Sequence, residues 1–368
     1  MHKVRLPSPF FGELMNAYLP FAPWWIDRLV ISKGQLEVLG WALAPDGLRD
    51  GMTFACNARP FEHVEFPSER DVSEAHPYWP GAERAGFRLV SSEPAYTDGA
   101  SPLRLERIWK ATGRSAAPGS EYFYPATEGE PPLPDAERMH RVSGNKNPHV
   151  FRLAGYTAWR LFNRLLERHF GRGFAGYPAI MDWGVGCGRL ARHFGNTLNT
   201  RVTGVDVDAD NVGWCRNALP FLQSAEAIPL HPPTNLGAAT FDLVVGISVL
   251  THLRPTEQLE WLAELHRVTK PGGVLLLTTL GQSAFGWMPA NEAVVGKWLA
   301  DGICYGNHND QLDSQIAEKG YYTDTYLHPR FVVATWSKWF EVVAIERGYL
   351  FGHQDVVVLV NKASTENP

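Results

Sequence analysis

Asp182-Trp183-Gly184-Val185-Gly186-Cys187-Gly188-Arg189 is the stretch on which the reading of this 368-residue chain turns. Ala179-Ile180-Met181 before it has the apolar character of a buried strand, and Leu190-Ala191-Arg192-His193-Phe194 after it reads as helical. Glycines at alternate positions let a strand turn sharply into a helix while bare backbone lies against a ligand, because a Cβ there would collide or forbid positive φ. A dinucleotide fingerprint counted from Gly184 and Gly186 would need its third glycine where Arg189 stands, which argues against NAD-dependent oxidoreduction.

The surroundings repeat a strand–helix alternation. Segments 202–205, 241–247, 273–279, 340–345 and 356–360 are strand candidates, mostly separated by lengths that suit crossover helices. Upstream, Phe151, Leu153, Trp159, Leu161, Phe162, Leu165 and Leu166 recur at helical spacing up to Gly171. A doubly wound α/β sheet follows, with ligands expected at the carboxyl ends of its strands. The second strand ends at Asp206, 18 positions after Gly188, where an acid can accept two hydrogen bonds from a ribose diol. Asp208 and Asp210 read as the acidic start of a helix. A calcium loop is excluded because its sixth position lacks glycine and its twelfth is Asn217, and no metal site is expected.

The Asp-x-Gly-x-Gly-x-Gly spacing resembles the first motif of the class I S-adenosylmethionine-dependent methyltransferases. Three later stretches, in the same order, are similar to that family too. Ser224-Ala225-Glu226-Ala227-Ile228-Pro229 resembles its adenine-contacting stretch, 241–253 its fourth motif, and 265–273 its helix end and turn into strand five. The resemblance spans about residues 138–362. It implies a Rossmann-like doubly wound seven-stranded sheet with an antiparallel C-terminal strand. It also implies S-adenosylmethionine as cofactor, held by Asp182, Gly184, Gly186, Gly188, Asp206, Val207, Ser224, Ala225, Gly246 and Ser248. Methyl transfer from a sulfonium is driven by positioning and exclusion of water, and a base is needed only for a poorly acidic hydroxyl. His252, just beyond strand four, is the candidate base, since histidine exchanges protons near neutrality. The alternative for His252 is a structural role at the start of the next helix. Tyr326, His328 and Asp355 are candidate acceptor contacts, against the alternative that aromatic strings complete a core edge.

Residues 1–112 read as a small all-β domain: segments 29–32, 36–41, 52–56 and 86–90 are short and punctuated by Lys33-Gly34, Pro45-Asp46-Gly47 and Pro80-Gly81. Gly40-Trp41-Ala42-Leu43, Arg70-Asp71-Val72 and Gly86-Phe87 resemble a β-sandwich module attached to bacterial glycan-modifying enzymes. Trp24, Trp25 and Trp41 are either sugar-stacking or core residues. Residues 113–137, rich in Gly, Ser, Pro and Glu, are the expected linker, and 138–368 the methyltransferase domain.

Composition narrows the partners. A net charge of -5 supplies no positive field for nucleic acid, and no run of about 20 apolar residues spans a bilayer. Cys56, Cys187, Cys215 and Cys304 form no C-x-x-C pair, and with no apolar leader at the N-terminus a cytoplasmic enzyme with free thiols is expected. The expected activity is O-methylation of a glycan or glycan precursor in polysaccharide biosynthesis. The alternatives are O- or N-methylation of a small molecule or natural product, or a non-catalytic cofactor-binding scaffold. A homo-oligomer is compatible with either reading.

Overall fold

The computed structural model describes residues 22–44, 47, 49–67, 70–76, 79–115, 120–195, 200–286, 292–308, 316 and 318–363. Its front half is a two-layer β-sandwich. One sheet contains β1 (Trp24–Ser32), β2 (Gln35–Ala42), β5 (His63–Glu65) and β6 (Gly86–Ser91), in the order β1-β2-β6-β5. The other contains β3 (Met52–Cys56), β4 (Arg59–Pro60), β7 (Leu103–Trp109), β8 (Arg114–Ser115) and β9 (Tyr122–Tyr124), with β3 on one edge of β7 and both β8 and β9 on the other. Period-two alternation sends Leu36 and Val38 inward, and a bulge between Ile26 and Arg28 returns Leu29 to the same core.

The tryptophans lie inside. Trp24 is 3% exposed, its ring centroid 4.8 Å from Tyr122 and its Nε1 donating to the Ser120 carbonyl at 2.6 Å, and Trp41 is buried as well. Trp25 is partly buried, its ring 5.8 Å from that of Phe351. Core packing therefore accounts for Trp24 and Trp41.

The stretch expected as a linker contains structure. Tyr122, Phe123 and Tyr124 of β9 are all buried, paired with β7 and packed on a long helix. After helix α1 (Ala136–Ser143) comes that helix, α2 (Pro148–Phe170), capped by Asn147 and ended by Gly171. The Thr157 hydroxyl of α2 accepts from Phe123 N at 2.7 Å and donates to Phe123 O at 3.2 Å, so helix and strand are locked by one side chain. One hydrophobic cluster runs from Phe54 and Leu105 through Leu161 and Leu165 to Ile180, Leu276 and Val358. The two halves share a core.

The second half adds β10 (Ala179–Trp183), β11 (Arg201–Asp206), α3 (Ala209–Ala218), β12 (Ser224–Ala227), β13 (Phe241–Gly246), α4 (Pro255–Val268), β14 (Thr269–Leu280), α5 (Glu292–Asp301), β15 (Ile303–His308), β16 (Thr323–Leu327), α6 (Pro329–Trp336), β17 (Phe340–Leu350) and β18 (Gln354–Asn361). Seven strands follow the order β12-β11-β10-β13-β14-β18-β17, with β18 antiparallel to both neighbours. Successive residues serve opposite faces: Leu243 and Val245 join the α2 side, Val244 the α4 and α6 side, as a doubly wound sheet requires.

The sheet has nine strands among the described residues rather than the expected seven. The hairpin of β15 and β16 adds two, joined to the end of β14 through Leu280 and Tyr326. Tyr326, Trp298 and Phe285 of this insertion share a cluster with Trp41, Leu43 and Trp79 of the sandwich. The front half thus grips the second at two places. No described helix is long and apolar enough to cross a membrane.

Candidate active site

The carboxyl ends of β10, β11 and β13 open into a cleft lined by Asp182, Gly184, Gly186, Arg189, Asp206, Val207, Ser248 and His252, among others. The loop after β10 turns through left-handed glycines, φ +78° at Gly184 and +52° at Gly186. A Cβ on Gly184 would lie 2.4 Å from Val249 Cγ2, and one on Gly186 2.9 Å from Val142 Cγ2, so dihedral and space both require glycine. Gly188 does not line the cleft; a Cβ there would strike Leu219. Its glycine serves the packing of the loop on the end of α3.

Two acids flank the loop. Asp206 accepts from Gly186 N at 2.7 Å through Oδ2 and from Asp208 N at 2.9 Å through Oδ1, tying the glycine turn to the end of β11. Burial pushes its carboxyl up to about 6, opposed by those two bonds. Asp182 is 2% exposed, and burial pushes it up to about 7 against the pull of Arg189. Its Oδ2 has no hydrogen-bond partner among the described residues. A buried carboxylate oxygen at a cleft wall is costly unless a donor or cation arrives. Arg189, whose side chain makes no hydrogen bond or ion pair among the described residues, lines the same wall.

Asp208 caps α3, accepting from Asp210 N and Asn211 N, and Asp210 binds Arg138 and Arg141 of α1. Those ion pairs hold α1, with Arg141 and Val142, over the mouth of the cleft. Ser224 and Ala225 lie within β12, paired with Thr203 and Gly204, and do not line the cleft; Ile228, four residues past Ser224, does. Gly246 also stays outside the lining, where a Cβ would meet Trp183 at 2.9 Å and Leu277 at 3.0 Å. Ser248 has φ +61°, its N–H donating to Thr278 Oγ1 at 2.7 Å and its Oγ accepting from Gln354 at 2.8 Å. A strained non-glycine held by its surroundings at a cleft edge fits a positioning role.

His252 lines the cleft beyond β13, its ring 4.7 Å from that of Tyr322 and nearly parallel to it. The three acceptor candidates are elsewhere. Tyr326 stacks on Phe285 in the core shared with the sandwich, His328 caps α6 beside Trp298, and Asp355 is buried, bonded to Ser283 Oγ and Gly348 N. The aromatic and capping needs of the insertion account for the first two. Arg141 and Trp261 line the cleft without having been singled out in the sequence, whereas Arg189 of the glycine motif, Ile228 of the 224–229 stretch and Tyr321 and Tyr322 of the aromatic string 320–328 line it as well. The cation of Arg189 beside a glycine loop is a ligand contact in waiting; of the aromatic string 320–328 it is Tyr321 and Tyr322, rather than Tyr326 and His328, that reach the cleft.

Residues 180–273 match the family described as a methyltransferase domain. Among solved structures, the chain is similar to a Pyrococcus horikoshii OT3 protein, 17% identical, covering 56% of this chain and 91% of that one at a TM-score of 0.40. It is also similar to the Burkholderia thailandensis 1,6-didemethyltoxoflavin-N1-methyltransferase with bound 1,6-didemethyltoxoflavin and S-adenosylhomocysteine, 17% identical over 56% of this chain and 79% of that one, TM-score 0.40. A third is the N-methyltransferase NodS of Bradyrhizobium japonicum WM9 in complex with S-adenosylhomocysteine, 16% identical over 62% of this chain and 98% of that one, TM-score 0.38. The matched segment contains both acids and both cleft-lining glycines of the loop, together with His252, so the residues that build the cleft belong to a stretch similar to a methyltransferase domain.

Proposed function

We propose that this enzyme methylates a hydroxyl group, with Asp182, Gly184, Gly186, Asp206, Val207 and Ser248 holding the cofactor and His252 receiving the proton of the acceptor. The observation that carries the reading is the convergence of an unpartnered Asp182 oxygen, the Asp206 carboxylate and His252 on one cleft. S-adenosylmethionine, when bound, supplies a methyl group on a sulfonium whose displacement leaves a neutral thioether. Asp206 fits the ribose hydroxyls while fixing Gly186, and the open oxygen of Asp182 fits a donor on the cationic part of the ligand. Arg189 is the cation in reach for a carboxylate. The left-handed glycines keep side chains out of the ligand's space, and α1 shields it from water.

The acceptor class proposed is a glycan or glycan precursor, supported by the resemblance of the front module. A second reading, a small-molecule acceptor, is favoured by the burial of Trp24 and Trp41, which leaves neither ring as an open stacking platform. Titration with S-adenosylhomocysteine, followed by product formation with a panel of glycans, glycosides, phenols and amines, tests both and separates catalysis from a scaffold. His252→Ala should lower single-turnover methylation of a hydroxyl acceptor by roughly 10²–10⁴ with cofactor affinity nearly unchanged. Wild-type turnover in that variant would remove His252 from the chemistry.

A further inference from the structure

The ring of His252 has two unlike nitrogens. Nδ1 is buried and has no hydrogen-bond partner among the described residues, and since the residue lines the cleft, Nε2 is the nitrogen that remains to serve a ligand there. The polar atom facing Nδ1 is Asp324 Oδ1 at 3.5 Å, delivered by β16 of the insertion, and Tyr322 two residues earlier covers the face of the imidazole. An ionised carboxylate accepts hydrogen bonds and donates none. A bare Nδ1 lone pair against it would be repelled, whereas an Nδ1–H would be attracted and would satisfy an otherwise orphaned buried atom.

We propose that Asp324 is a positioning residue that fixes His252 as the Nδ1–H tautomer, so that Nε2 presents its lone pair to the acceptor. This rests on the reading of His252 as the proton acceptor. At 3.5 Å the contact is longer than a working hydrogen bond, and such contacts tighten when the ligand fills the site. In the step served, the acceptor O–H bond breaks, its electron pair stays on oxygen, and the proton goes to Nε2. The ring is then an imidazolium with Asp324 at its Nδ1–H, and the proton leaves to solvent after turnover. The groups facing the imidazole are Asp324 and Tyr322 from the insertion, and burial together with Asp206 pushes the Tyr322 phenol upward, so Tyr322 stays a neutral wall. The β15–β16 hairpin, with the stretch leading into it, therefore completes a site that the matched methyltransferase segment, ending at residue 273, leaves unfinished.

The test uses the full chain labelled with ¹⁵N-histidine, His252→Gln identifying the resonances among the 13 histidines. At alkaline pH the wild type should show His252 with Nδ1 protonated and Nε2 bare. Asp324→Asn, whose amide can donate to Nδ1, should shift the ring toward Nε2–H, and Asp324→Glu should restore the wild-type pattern in part. Carbethoxylation of His252 by diethyl pyrocarbonate, read by peptide mass, should slow by about tenfold in Asp324→Asn, matching loss of one charge-assisted hydrogen bond. If Asp324→Asn does not fold by circular dichroism, Asp324→Ser replaces it with the same expectation. An Nε2–H ring in the wild type, or an unchanged ring in the Asp324 variants, overturns the proposal. Failure of the wild type to bind S-adenosylhomocysteine would sink the methyltransferase reading while leaving the tautomer result readable.

Discussion

The sandwich and the α/β unit each bury a charged side chain with unsatisfied atoms, and they treat it in opposite ways. Arg107, 1% exposed, lies between Trp24 and Trp109, 4.7 Å from the latter ring, with the Leu43 carbonyl 3.3 Å from its Nη1. Burial lowers it to about 9, and the aromatic faces act as weak acceptors where no carboxylate stands. Asp182 is opposed in its burial by the charge of Arg189 and a backbone N–H of Ala191, yet its Oδ2 has no partner among the described residues and the residue lines the cleft. A buried charge wrapped by rings is a core device, while one aimed at empty space is a ligand contact held ready.

The largest effect expected on this contrast comes from Gly186→Val, which places a branched side chain at φ +52° against Val142 and in the ligand space. Calorimetry should find no binding of S-adenosylhomocysteine, with the near-ultraviolet spectrum of the sandwich tryptophans retained. Normal binding would overturn the loop assignment. Phe351→Ala comes next, because the ring is 7% exposed between the halves, against Trp25 and Tyr122. It should cost about 3–5 kcal/mol in chemical unfolding and leave one cooperative transition. Two resolved transitions in the wild type would mean that the halves fold independently.

Asp206→Ala should weaken S-adenosylhomocysteine binding by on the order of 1.5–3 kcal/mol, since the ribose contact and the anchor of Gly186 disappear together. Unchanged affinity removes Asp206 from the site. The smallest and most diagnostic change is Asp182→Asn. Asp182 has a folded value raised above the ordinary one, so ionising it costs stability progressively as pH rises from about 4 to about 7, and the cost is complete above that. The variant without ligand should therefore melt a few degrees higher than wild type at pH 8 and at the same temperature below pH 4. A lower melting point at pH 8 would show that the carboxylate is satisfied within the protein rather than held for a ligand.

Much of this architecture was legible in the chain, and what escaped did so for physical reasons. Gly184, Gly186 and Asp206 announce themselves because a turn dihedral and a strand end are local events. Ser224 and Ala225 resembled the adenine stretch, yet β12 runs on to Ala227, so the first residue at the cleft is Ile228. Strand length, which neighbouring strands set, decides that register. Tyr122-Phe123-Tyr124 sat inside a Pro- and Gly-rich stretch whose composition masked three buried aromatics, and only pairing with β7 makes them a strand. Asp324 is more distant still from sequence logic: its role depends on a hairpin folding back beside His252, 72 residues earlier in the chain.

The placement of α2 has a consequence for anyone dissecting the protein. Its buried residues include Thr157 on the side locked to β9 and Leu161, Leu165 and Leu166 in the cluster continuous with both halves, so it is covered on both flanks. Expressing the chain from residue 138 onward would strip the sandwich from that helix and from Phe351, presenting a wide apolar face to solvent. The fragment is expected to aggregate, although it retains every residue of the cofactor cleft.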